Sequence, residues 1–170
     1  PALTVAERVD DLLGRMTVEE KVGQLVQRGA LKGWVDPVAG DATRNPLNEE
    51  LLADIREGRV GALLGACGIE NYNAYQAAAR ASRLKIPLLV GADLIHGCRT
   101  SYPIPLGLSC AWDEDLWRRA GKLISDEAPL VGCNWTFAPM VDIARDARWG
   151  RIAEGAGQDP FLGARFAAAT

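Results

Sequence analysis

Short apolar runs alternate with helix-length segments along nearly the whole chain, and that alternation admits few folds. Thr4 with Glu7, and Thr17 with Glu20, have the spacing of a capping box, so each opens a helix. Val18, Val22 and Leu25 then share one helical face before a strand near 24–29. Residues 31–46, with Gly33, Pro37, Gly40 and Pro46, read as a loop. Leu47, Leu51, Leu52 and Ile55 mark a helix that stops at Gly58, and 60–64 follows as a buried strand. Residues 70–83 are Ala-rich and helical, and Pro87 introduces the clearest strand, 88–91. After an irregular segment, 93–111, Asp113 caps a helix that runs to about Glu127 and breaks at Pro129. A fourth strand spans 134–140, a polar connection spans 142–158, and Asp159 with Pro160 starts a last helix.

Strands separated by helices build a parallel sheet through right-handed crossovers. An eight-stranded βα barrel uses about 30 residues per βα unit, so four strands amount to half of one. A small doubly wound sheet fits the same alternation, and periodicity alone does not choose between the two.

The net charge of −3 offers no electrostatic footprint for nucleic acid or an anionic membrane surface. No apolar run approaches the roughly 18 residues of a spanning helix, which argues against membrane insertion. Cys67, Cys98, Cys110 and Cys133 form no CxxC pair, so they read as small buried residues or one incidental disulfide. The single histidine, His96, disfavours a multi-histidine metal site. It permits nucleophilic catalysis with Ser101 only if a third group orients it, and none is evident. Residues 155–159 are glycine-rich but do not follow a strand directly, which weighs against a phosphate cradle.

Parallel architectures place ligands at the carboxyl ends of their strands. That rule selects 91–99, leaving the third strand, and 142–159, leaving the fourth. Asp93 follows a buried strand, where a carboxylate accepts hydrogen bonds from vicinal hydroxyls of a sugar or else pairs with Arg99 or caps a backbone turn. Arg145, Arg148 and Arg151 crowd around Trp149, giving forked donors beside a ring that can stack on a sugar face, or a salt-bridged loop.

Several segments together resemble the amino-terminal domain of glycoside hydrolase family 3. They are MTVEEKVGQL (16–25), PLLVGADLIHGCRT (87–100) with its D-x-x-H-G pattern, PIPLGLSCAWD (103–113), NWTFAPMVDIARDARWGR (134–151) and EGAGQDPFLG (154–163). They occur in the family's order and cover about 5–165. The resemblance implies that residues 1–170 are the amino-terminal portion of an α/β domain, about half of a (β/α)8 TIM-type barrel. It implies part of a retaining, exo-acting β-glucosidase that releases terminal β-D-glucosyl residues from glucosides or oligosaccharides, without a cofactor or metal. Asp93, Arg99 and Arg151 then match residues that bind the sugar in the −1 subsite, and His96, Asp146, Arg148 and Glu154 match supports of the site loops.

Gln158 stands where the family usually has Glu, Ala147 where it has Pro, and Pro129 interrupts a helix that normally continues. Retaining hydrolysis needs two carboxyl groups about 5–5.5 Å apart. None of the 22 acidic residues matches either role, so the resemblance puts the nucleophile and the general acid beyond residue 170. The remainder of the polypeptide is therefore the expected partner, and the isolated half, with open strand edges, is expected to aggregate. A noncatalytic sugar-binding barrel is the alternative. An α/β hydrolase or binding domain unrelated to sugars is a further one, and it would need His96 but not Asp93. Family habit and a start at Pro1 rather than Met point to the periplasm or the exterior, although excision from a longer chain also explains that start.

Overall fold

A computed structural model describes residues 3–30, 47–66 and 68–170. The loop expected over 31–46 and Cys67 lie outside the described residues. The chain divides into two compact units, Pro1–Gly91 and Ala92–Thr170.

In the first unit, both capping boxes form and open α1 (Val5–Arg15) and α2 (Val18–Gln24). In the second box, Thr17 Oγ1 accepts the Glu20 N–H at 3.2 Å, and Glu20 Oε2 accepts the Thr17 N–H at 2.9 Å. Glu20 is buried and also receives Arg83 Nε at 2.9 Å, while Arg83 Nη2 donates to the Arg15 carbonyl at 2.8 Å. The Arg83 guanidinium is the main cause that holds the Glu20 carboxyl below the usual range. This cap therefore ties α2 to the segment after the fourth helix. Thr17→Ala is expected to cost about 1 kcal/mol, measured by urea denaturation of the polypeptide that carries this chain.

Strand β1 (Gln27–Gly29) pairs in parallel with β2 (Ala62–Leu64), and β2 pairs in parallel with β3 (Leu89–Ala92), in the register Gln27–Ala62–Leu89. Between them run α3 (Glu49–Arg56), capped by Asn48, and α4 (Ile69–Ala81). Helix α3 starts at Glu49 and leaves out Leu47, because Asn48 Oδ1 takes the Leu51 N–H and sets the boundary. Gly58, at φ +76°, makes the left-handed turn that ends this segment. Leu51, Ile55, Leu63 and Val90 are at most 2% exposed and form the core with Tyr75 and Ala78. Buried Gln76 bonds both the N–H and the carbonyl of Leu88, at 3.1 and 2.9 Å, and so satisfies the backbone where β3 begins.

In the second unit, Ala92, the last residue of β3, accepts the Phe137 N–H at 3.2 Å. Helix α6 (Glu114–Glu127) follows Asp113, whose Oδ1 takes the N–H groups of Asp115 and Leu116, each at 3.0 Å. It packs on α7 (Pro160–Ala169) through Trp117 and Phe166, whose ring centroids lie 5.3 Å apart. Asp159 caps α7, with Pro160 at its first position. Past Glu127 the chain tightens into a 3-10 turn, Ala128–Val131, at the proline read as a helix breaker.

Two expectations change. The segment 93–111 is not wholly irregular, because Pro105 opens a short helix, α5 (Pro105–Ser109). The fourth strand, read as 134–140, shrinks to β4 (Trp135–Thr136). Pro139 has no N–H to give a ladder, and Thr136 Oγ1 draws off the Ala138 N–H at 3.1 Å. Met140 rejoins the structure through a single bridge to Gly155.

Candidate active site

Every residue selected for the site lies in the second unit. Asp93 leaves β3 as an exposed side chain, followed by buried Leu94. The chain then folds back on itself, with bridges Ile95–Gly97 and Gly97–Ser101 and the Tyr102 N–H donating to the His96 carbonyl at 2.8 Å. Gly97 sits at φ +106°, and a Cβ there would collide with the Thr100 carbonyl, so the glycine of D-x-x-H-G is what allows this reversal. The turn presents His96 and Arg99 as exposed side chains. Among the described residues Asp93 and Arg99 form no ion pair, so the pairing alternative for Asp93 does not hold.

The second loop starts from the Met140–Gly155 bridge. Within it, Asp146 and Arg148 satisfy each other. Arg148 Nε reaches Asp146 Oδ1 at 3.0 Å, Nη2 reaches Oδ2 at 2.6 Å, and the Arg148 N–H adds a bond of 2.9 Å. The Arg148 guanidinium depresses the Asp146 carboxyl below its ordinary range. The pair braces the loop.

Arg151 is arranged differently. Its Nε and Nη2 both donate to Glu154 Oε2, at 2.9 and 2.6 Å, and Nη2 also meets Met140 Sδ at 3.6 Å. Glu154 is the main cause that raises the Arg151 pKa, and the Asp93 and Asp142 carboxylates raise it further. In return Arg151 lowers the Glu154 pKa, to which His96 also contributes. The loops that leave β3 and β4 thus place Asp93, Asp142 and Glu154 within electrostatic reach of Arg151, and His96 within reach of Glu154. The Arg151 Nη1 group takes no protein partner among the described residues, and its side chain is 53% exposed. A carboxylate and a braced guanidinium on neighbouring loops can accept from and donate to hydroxyls of a polyol.

Met140 and Asp142 belong to this cluster and were missed from sequence. Asp142 carries the same signal as Asp93, an acid just past a strand. Glu127, discussed below, carries no local signal. A cavity of about 220 Å³ lies elsewhere in this unit, lined by Leu94, Tyr102, Leu108, Ile124, Trp135 and Phe166 among others, and neither Asp93 nor Arg151 reaches it. Its lining is mostly apolar, and the polyol chemistry described above is at the other cluster. Cys98, Cys110 and Cys133 are free, and no group of three His, Cys, Asp or Glu side chains that could hold a metal ion exists among the described residues.

Residues 17–170 match the family model described as the glycosyl hydrolase family 3 N terminal domain. The chain is 41% identical over 155 residues to a periplasmic β-glucosidase of Salmonella typhimurium, covering 91% of this chain and 19% of that protein. It is 34% identical to a periplasmic β-glucosidase/β-xylosidase of Dickeya chrysanthemi, covering 94% of this chain and 27% of that one. In structure it superposes on the β-glucosidase of Listeria innocua, solved in complex with isofagomine, with a TM-score of 0.79 and 34% identity, over 98% of this chain and 22% of that one. The chain therefore spans about a fifth to a quarter of the relatives it matches.

Proposed function

Because the chain belongs to glycosyl hydrolase family 3, we propose that it forms the sugar-holding part of a retaining, exo-acting β-glucosidase that removes terminal β-D-glucosyl residues. The observation that carries this reading is the family match over residues 17–170, and Asp93 is among the charges that act on Arg151 from a different loop. Asp93 accepts hydrogen bonds from adjacent sugar hydroxyls, Arg151 donates to the same ring, and Arg99 is a further donor to it. Glu154 and Met140 fix the Arg151 fork, and the Asp146–Arg148 pair stiffens the loop that carries it. Such hydroxyl contacts strengthen as the ring approaches an oxocarbenium-like transition state, and so they lower the barrier as well as bind.

The nucleophile and the acid/base come from a part of the polypeptide outside these residues, and that remainder is the natural partner of this half. The short coverage of the relatives supports this. Relatives described as periplasmic support a periplasmic or exported protein. No helix among the described residues is long and apolar enough to cross a membrane.

The test is hydrolysis of 4-nitrophenyl β-D-glucoside by the polypeptide encoded by the complete reading frame, with the product anomer followed by NMR. Release of β-glucose first is the expected result. An inverted product, or no turnover of β-glucosides, xylosides or N-acetylglucosaminides, would contradict the reading, and a protein that binds glucose without turnover would be a noncatalytic sugar-binding barrel.

A further inference from the structure

We propose that Glu127 is a positioning residue for Arg99: its carboxylate clamps the turn 98–100 to the end of α6 and so fixes where the Arg99 side chain emerges. The proposal rests on the reading of Arg99 as a sugar-binding residue. Glu127 Oε1 accepts the Thr100 hydroxyl at 2.8 Å, and Oε2 accepts the Thr100 N–H and the Cys98 thiol, each at 3.1 Å. Cys98 and Thr100, the residues on either side of Arg99, are therefore both held by one side chain, and Arg99 sits at the centre of the turn.

The location of Glu127 makes this arrangement informative. An anion in the last turn of a helix opposes the helix dipole, and α6 carries no basic residue there to offset it. Glu127 is instead stabilised by the donors of the 98–100 turn, the Cys98 thiol first, and its carboxyl is held down at about 2. Reciprocally, burial first and then the bond to Glu127 push the Cys98 thiol up to about 11, so that it stays a protonated donor at neutral pH. Because the folded pKa of Glu127 lies below its ordinary value of 4.5, the clamp contributes fully above that value and is lost as pH falls towards 2.

The experiment is a mutant cycle in the polypeptide encoded by the complete reading frame, read as kcat/KM on 4-nitrophenyl β-D-glucoside. Glu127→Gln keeps the shape but turns one acceptor into a donor, and it should lower kcat/KM by about tenfold or more through misplacement of Arg99. Arg99→Ala alone should lower it too, and adding Glu127→Gln to Arg99→Ala should cost almost nothing further. A residue that merely supports the fold would multiply the two losses, and that outcome overturns the proposal, as does an unchanged kcat/KM in Glu127→Gln. If Glu127→Gln does not fold, Thr100→Val removes one donor and should give a smaller loss, again absorbed by Arg99→Ala. Alkylation of Cys98 by iodoacetamide, followed by peptide mass spectrometry, should accelerate in Glu127→Gln, and an unchanged rate would show that the clamp is absent. That last readout needs no glycosidase activity, so an inactive wild type would sink the glucosidase reading and still leave the clamp decided.

Discussion

Asp93→Asn, in the polypeptide encoded by the complete reading frame, should lose kcat/KM on β-glucosides by about a hundredfold to ten-thousandfold. Two charge-assisted hydrogen bonds to sugar hydroxyls account for this range, because an amide keeps the shape but replaces one acceptor oxygen with a donor. Folding should be untouched: Asp93 is exposed, and it forms no ion pair among the described residues. Steady-state kinetics beside a thermal melt separate the two effects. A variant that keeps its melting temperature and also stays within about threefold of wild-type kcat/KM would remove Asp93 from the site.

Arg151→Lys should be nearly as damaging, by about a hundredfold in kcat/KM, although the charge is kept. The guanidinium uses Nε and Nη2 on Glu154 Oε2 and Nη2 on Met140 Sδ, which leaves Nη1 for the ligand. A lysine ammonium has no fork: bonded to Glu154 it cannot hold the sugar at the same angle, and turned to the sugar it abandons Glu154. Weaker competitive inhibition by glucose should accompany the kinetic loss. Equal inhibition of Arg151→Lys and wild type would show that the arginine acts elsewhere.

The local chemistry of this chain is legible wherever a residue decides its own neighbourhood. Thr17 with Glu20, Asp113 and Asp159 announce helix starts because each cap bonds backbone two or three residues away. The βα alternation is legible for the same reason, and the family match agrees with the α/β fold with parallel strands that it implied. Where the reading failed, a proline or hydroxyl inside the segment overrode the apolar pattern. The apolar run 134–140 looks like one strand, but Pro139 and the Thr136 hydroxyl withdraw the donors that a ladder needs. The helix α5 hides in a segment crowded with prolines, although Pro105 is itself an opening signal.

The candidate site follows the same division. Asp93 and Arg151 stand out because each lies in a recognisable string beyond a strand, yet nothing in their separation along the chain says that one charge acts on the other. Glu127 carries no signal of its own, since its partner Thr100 lies 27 residues away and no local pattern encodes that bond. The Asp146–Arg148 pair shows the opposite limit: two charges near a site, legible from sequence, that consume each other.

A structure of the polypeptide encoded by the complete reading frame, soaked with glucose, asks most directly whether these two loops hold one sugar. The expected result is a single glucose ring with the Asp93 carboxylate and the Arg151 guanidinium both at about 2.7–3.2 Å from its hydroxyls. A ring bound with either side chain out of hydrogen-bond range, or seated in the apolar cavity beside Trp135 instead, would contradict the account.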